Sequence, residues 1–135
     1  MSNSLFANNL ANWLAHPDQA LGLVTGKSLF VGRIRGDKGN AVLLKPSGGT
    51  ETASGLGNGF YTLQVLTRST SYDWAHSIAW QIYNLINDRP PPWRAGSSKI
   101  LLSKAVQPPF FVREDERQQC LFSHNYRFSL GVKPE

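Results

Sequence analysis

Cys120-Leu121-Phe122-Ser123-His124-Asn125-Tyr126-Arg127-Phe128-Ser129-Leu130-Gly131-Val132 decides the fold class. Cys120, Phe122, His124, Tyr126, Phe128, Leu130 and Val132 alternate with Leu121, Ser123, Asn125, Arg127, Ser129 and Gly131. A strand sends successive side chains to opposite faces. This pattern therefore predicts a sheet with one face on a core and the other facing water, which is antiparallel behaviour. Residues 60–68, Phe-Tyr-Thr-Leu-Gln-Val-Leu-Thr-Arg, predict a second such strand with Tyr61, Leu63 and Val65 on one face.

Helices flank these strands. Leu5, Phe6, Leu10, Trp13 and Leu14 recur at helical spacing, Ser2 or Asn3 can cap the start, and Pro17 ends the run. Over 72–88, Ala75, Ile78, Ala79, Ile82, Leu85 and Ile86 line one face. Ser69 to Ser71 offer caps, Asp73 suits the positive end of the helix dipole, and Pro90-Pro91-Pro92 stops the helix.

Residues 29–35 read as a strand, Gly36 to Asn40 as a turn, and Ala41 to Leu44 as the returning strand of a hairpin. Pro46 to Gly59, with Gly48, Gly49, Gly55, Gly57 and Gly59, reads as part of a long flexible loop at about 45–59. Ile100 to Val106 is a strand that continues raggedly past Pro108-Pro109 to Val112, and Arg113 to Arg117 is a charged turn. The order α-β-β-β-α-β-β predicts an α+β fold: a mainly antiparallel twisted sheet with two helices packed on one side. At 135 residues the chain fits one domain, 1–135.

Composition narrows the function classes. A hydrophobic share of 41% with 11% aromatics supports a real core rather than disorder. The single cysteine, Cys120, permits no intramolecular disulfide. The first residues lack a basic segment followed by an apolar run, and no stretch approaches the roughly 18 apolar residues of a membrane span. The expectation is a soluble protein made in a cytoplasm, with no membrane partner. The net charge of +5 favours acidic partners without choosing among them. Lys27, Arg33, Arg35, Lys38 and Lys45 against Asp37 concentrate +4 within residues 27–45.

Motifs of enzyme chemistry fail on context. Gly22-Leu23-Val24-Thr25-Gly26-Lys27-Ser28 is one residue short of a phosphate-binding loop and leads into a strand instead of a helix. Gly55-Leu56-Gly57-Asn58-Gly59 also leads into a strand, so no helix N-terminus is there to hold a pyrophosphate. Cys120 and His124 share a strand face, but four residues along a strand span roughly 13 Å, beyond hydrogen-bond reach. Cys120 reads as a small buried hydrophobe and His124 as a sheet histidine with a satisfied ring. His16, His76 and His124 are scattered, and Glu114, Asp115 and Glu116 sit between Arg113 and Arg117. No metal site, cofactor or catalytic set is expected. Arg33 and Arg35, on one strand face, either meet a partner or form a solvated face.

Val42-Leu43-Leu44-Lys45-Pro46-Ser47-Gly48-Gly49, a Gly-rich stretch, and then Thr62-Leu63-Gln64-Val65-Leu66-Thr67-Arg68-Ser69 resemble the tail terminator, or tail completion, proteins of tailed phages, also labelled minor capsid proteins. Tyr72-Asp73-Trp74-Ala75 is similar to the opening of that family's helix. Residues 109–117 resemble its acidic turn, with Val112 or Arg113 where the family has Gly. Phe122 to Phe128 resembles its final strand. The resemblance spans roughly residues 1–133.

The resemblance implies a structural virion protein and no enzyme. It implies a ring, usually a hexamer, that caps the head-proximal end of the tail tube and ends its polymerisation. Partners would be further copies of the chain, the tube protein and a neck or head-completion protein, with genomic DNA passing through the lumen. The setting would be the virion, and the host cytoplasm during assembly. Arg68, Arg113, Asp115 and Arg117 become expected subunit or tail–neck contacts. Arg33, Arg35, Lys38 and Lys45 become an expected partner or lumen face. Two other readings stay open: a different neck or head-completion protein, and a basic module for single-stranded nucleic acid. The second requires aromatics interleaved with basic residues on an exposed face, whereas the aromatics here fall mainly on core-like faces.

Overall fold

A computed structural model describes residues 2–34, 39–51 and 59–131. Along the chain these form α1 (Ser2–Ala15), a 3-10 turn (Pro17–Gln19), β1 (Leu29–Val31), β2 (Ala41–Glu51), β3 (Gly59–Ser69), α2 (Tyr72–Ile86), β4 (Trp93–Ala95), β5 (Ser98–Glu114) and β6 (Cys120–Leu130). One six-stranded sheet runs in the order β1-β2-β3-β6-β5-β4. All of its neighbours pair antiparallel except β1 and β2. The expected α+β class is therefore what the chain adopts.

The alternation in β6 and β3 sets the core. Phe122, His124, Tyr126 and Phe128 are buried, as are Tyr61, Leu63, Val65 and Thr67 on β3. Val65 lies opposite His124 and Leu63 opposite Tyr126, so the two rows share a face. Both helices cover that face. Phe6 of α1 packs on Tyr61 and Phe128, with ring centroids 5.5 and 4.9 Å away. Ile78, Ile82 and Ile86 of α2 join the same cluster, while Ala75 and Ala79 close on Phe122. Ser71 caps α2, its hydroxyl accepting the Trp74 amide at 3.2 Å.

Two expectations are corrected and a third is met. The strand at 29–35 ends at Val31, and it runs parallel to β2, so no hairpin forms there. Parallel strands normally need a long crossover. A three-residue strand needs only a short return path, which Gly32 opens at φ +92°. In the stretch 45–59 the described residues are strand: β2 runs to Glu51 and β3 opens at Gly59, paired residue for residue apart from one irregularity between Pro46 and Gly48. Residues 52–58 of that expected loop lie outside the described residues. The strand expected from Ile100, continuing raggedly past Pro108 and Pro109, is β5, which runs on to Glu114 and absorbs the two prolines by register shifts against β6.

β4 had no sequence signal at three residues long, and side-chain contacts fix it. Trp93 packs on Trp13 at 4.7 Å between centroids, and the Arg89 guanidinium lies over both rings. Its indole N–H donates to Ser103 Oγ at 3.3 Å, and that hydroxyl donates to the Ile86 carbonyl at 2.7 Å.

Candidate assembly surfaces

The helix-free face of the sheet is built in rows. Because Tyr61, Leu63, Val65 and Thr67 point into the core, Thr62, Gln64, Leu66 and Arg68 point the other way. The strand registers place Lys45, Gln64, Asn125 and Gln107 side by side, with Thr62, Arg127 and Lys104 in the next row. Gln64 donates to Ser123 Oγ at 3.2 Å, and Asn125 donates to Gln107 Oε1 at 3.0 Å. The Arg127 guanidinium sits 4.4 Å over the Phe60 ring. Two rows beyond Gln64, Arg68 and Arg113 flank Leu121. The face thus carries Lys45, Arg68, Lys104, Arg113 and Arg127, with no carboxylate in any of these rows. Asp88 reaches Lys104 from the edge at 3.1 Å.

Between the polar rows and the helix-distal side of β1 sits a small apolar patch. Phe30, Ala41 and Leu43 are buried there, with Ile34 and Leu66 packed against them.

Arg68, Arg113, Asp115 and Arg117 come together at one corner. Asp115 shapes the turn: its Oδ1 accepts the amides of Arg117 and Gln119, each at 2.9 Å. The Gln119 amide bond holds its carboxyl below the usual range, with the Arg117 amide and the charges of Arg113 and Arg68 acting the same way against partial desolvation. Gln118 takes φ +61° inside this turn.

The basic expectation divides. Lys45 is exposed and belongs to the polar rows. Arg33 is exposed but lies past the end of β1, so no strand face pairs it with Arg35. Arg35 and Lys38 lie outside the described residues. Lys104 and Arg127 are the cations that sequence reasoning did not single out. Arg127 stood on the polar side of the alternating strand, and that was the available signal.

A third surface is apolar. Val106, Phe110, Phe111 and Val112 on β5 are exposed, and Tyr72 stands beside Phe111 at 5.8 Å. Phe111, opposite Phe122, lies on the helix side, and Phe110, opposite Ser123, lies on the helix-free side.

The remaining chemistry is internal. His124 is buried; its Nδ1 and the Tyr126 hydroxyl share a 2.6 Å hydrogen bond, and Thr67 Oγ1 lies 3.5 Å from Nε2. Burial lowers the imidazole pKa to about 3 and raises the Tyr126 phenol. Cys120 is buried, which pushes its thiol up, with Glu114 and Asp115 adding to the rise. Among the described residues no three His, Cys, Asp or Glu side chains converge on a metal position. In the Gly22–Ser28 stretch the polar groups turn inward: the Val24 carbonyl accepts three amides and its own amide donates to Ser28 Oγ at 2.9 Å.

An α+β subunit with a cation-lined polar face and an exposed apolar strand is the shape of a building block. Its fold is shared by a solved structure titled "Virion of native gene transfer agent (GTA) particle", at TM-score 0.64 and 12% identity, over 90% of this chain and 92% of that one. No individually curated protein matches the sequence. Residues 18–131 match the family described as "Bacteriophage tail terminator protein", and the chain belongs to that family. It is a structural protein of a phage tail, and its place is the virion.

Proposed function

We propose that six copies of the protein form a ring that caps the head-proximal end of the tail tube, ends tube polymerisation and joins the tail to the neck. The family match over residues 18–131 carries this reading. The helix-free face supports it. Lys45 and Arg127 stand among uncharged amides and hydroxyls, with Lys104, paired to Asp88, at the edge of the same rows. That composition suits passing DNA, whose phosphates are held by charge without sequence recognition. Ring contacts are head-to-tail, so each copy presents two different surfaces. The Arg68, Arg113, Asp115 and Arg117 corner contributes to subunit or tube–neck contact. The partners are other copies, the tube protein and a neck or head-completion protein.

Negative-stain microscopy of infected cells lacking the protein tests the reading. Free heads beside overlong or ragged tails are expected. Tails of normal length beside heads that leak DNA would move the protein to the head side of the neck. Normal virions would overturn the proposal.

A further inference from the structure

The flank of α2 that runs along β5 carries an unbroken series of rings. Tyr72, His76, Trp80 and Tyr83 follow at intervals of four, four and three residues, which keeps them on one side of a helix. Their centroids lie 6.0, 6.3 and 5.1 Å apart in turn. Phe111 of β5 extends the series beyond Tyr72 at 5.8 Å, and Phe122 beneath touches Tyr72, His76 and Phe111. At the other end the Tyr83 hydroxyl accepts from Asn87 at 3.2 Å. Asn87 Oδ1 in turn accepts the Ala105 amide at 2.8 Å and ties the helix to β5. Tyr72 and Phe111 are 48% and 45% exposed and His76 is exposed, so the rings at the first end face water instead of core.

The charges around this stripe differ from those of the helix-free face. α1 and α2 hold no Lys or Arg and a single carboxylate, Asp73, next to Tyr72. Glu114 pairs with Cys120, two residues from Phe122 on the same strand face, and it is exposed. Arg68 and Arg113, in the row through Leu121, belong to the opposite face. Glu116 and Arg117, exposed in the turn beyond, offset each other. On a chain of net charge +5, the Phe111 end of the stripe is thus bordered by two carboxylates.

We propose that the stripe docks an extended, proline-bearing segment of another virion protein, with a Lys or Arg of that segment at the Asp73 and Glu114 end. The length fits. Tyr72 to Tyr83 spans ~16 Å along the helix, the reach of about five residues of polyproline II. The chemistry fits as well. A polyproline II segment keeps its backbone in water and lays its pyrrolidine rings on aromatic faces, so it asks the stripe for rings and not for backbone partners. The carboxylates attract the segment's cation, and the neighbouring ring faces hold it. The same carboxylates repel phosphates, so this flank selects protein while the helix-free face suits nucleic acid.

Assembled tails carrying the photo-reactive substitution Tyr72→benzoylphenylalanine or, separately, His76→benzoylphenylalanine are irradiated, and the cross-linked peptide is sequenced by mass spectrometry. The expected product joins this chain to a segment of another virion protein that contains proline and a Lys or Arg. That segment, made as a labelled synthetic peptide, should bind the free subunit in an anisotropy titration. Phe111→Ser should weaken the binding about tenfold, as the loss of one aromatic anchor does. Glu114→Lys, at an exposed position and with melting unchanged, should weaken it more in low salt than in high salt. A cross-link to a second copy of this chain, to a segment lacking proline or a cation, or to nothing would overturn the proposal. So would a peptide whose affinity ignores both substitutions. None of these outcomes bears on how the tail is ended, because the tails are complete before irradiation.

Discussion

The two halves of β5 share one strand and one inner partner, β6, yet they meet different worlds on the outside. From Ser98 to Ala105 the outer edge is satisfied within the chain by β4, Asn87 and Asp88, and Ile100 and Ser103 are buried. From Val106 to Glu114 the outer edge meets nothing described, and four apolar side chains stand in water. A folding chain normally hides such surface. The contrast separates what β5 does for the fold from what it offers to an assembly, and substitutions in each half should separate the same way.

The largest effect belongs to the closed half. Trp93 holds β4 through Trp13, Arg89 and Ser103. Trp93→Ala should cost about 3–5 kcal/mol of folding stability, as large buried aromatics do. Urea denaturation followed by circular dichroism would read it. A loss below about 1 kcal/mol would mean that β4 is an appendage and that the two halves are not distinct.

The second effect comes from β6 beneath the open half, where Gln107 and Phe110 pair with Asn125 and Ser123 on either side of His124. His124 is neutral in the fold with a pKa lowered to about 3, against 6.5 in an ordinary setting. Between those values the unfolded chain binds the extra proton, so stability is full above about pH 6.5 and falls as pH drops toward 3. Going from pH 6.5 to 5.0 should cost about 2 kcal/mol at roughly 1.4 kcal/mol per unit. His124→Gln should flatten that slope. Equal urea midpoints for the wild type at the two pH values would refute the assignment.

Gly96 tests the turn that joins β4 to β5. It takes φ +60°, and a Cβ there would stand 2.8 Å from Asn9 Oδ1. Asn9 donates to Ser97 Oγ and Ser98 Oγ, tying α1 to this turn. Gly96→Ala should cost about 1–2 kcal/mol through backbone strain and displacement of Asn9. A thermal melt suffices. An unchanged midpoint would show that the turn tolerates either residue.

These elements differ in how readable they were. β6 and β3 were plain because period-two burial writes itself into the sequence, and α2 because its apolar stripe is long and ends at prolines. β4 was illegible: Trp93-Arg94-Ala95 is too short for periodicity, and its place is fixed by Trp13 and Ser103, which are remote in sequence. The Gly-rich stretch after Lys45 argued for a loop by composition, but pairing with β3 overrode local preference. The resemblance singles out Arg68 and Arg113, and the registers bring them to one row through Leu121. Arg127 and Lys104 needed a register before they could be seen as neighbours. The open edges were invisible, since no residue type announces what its backbone lacks.

The smallest effect on folding is the sharpest test of the comparison. Val106 is 65% exposed and begins the open half directly after the last residue that Asn87 holds. Replacing it with Ser removes two methyl groups already in water and adds a hydroxyl that water can satisfy. Val106→Ser should therefore change folding stability by less than about 0.5 kcal/mol, as surface changes away from special features do. An equal loss from Val106→Ser and Trp93→Ala in matched urea titrations would erase the distinction, because the open half would then be packed on something within its own chain. A flat titration beside reduced incorporation into tails would give Val106 its role outside the subunit.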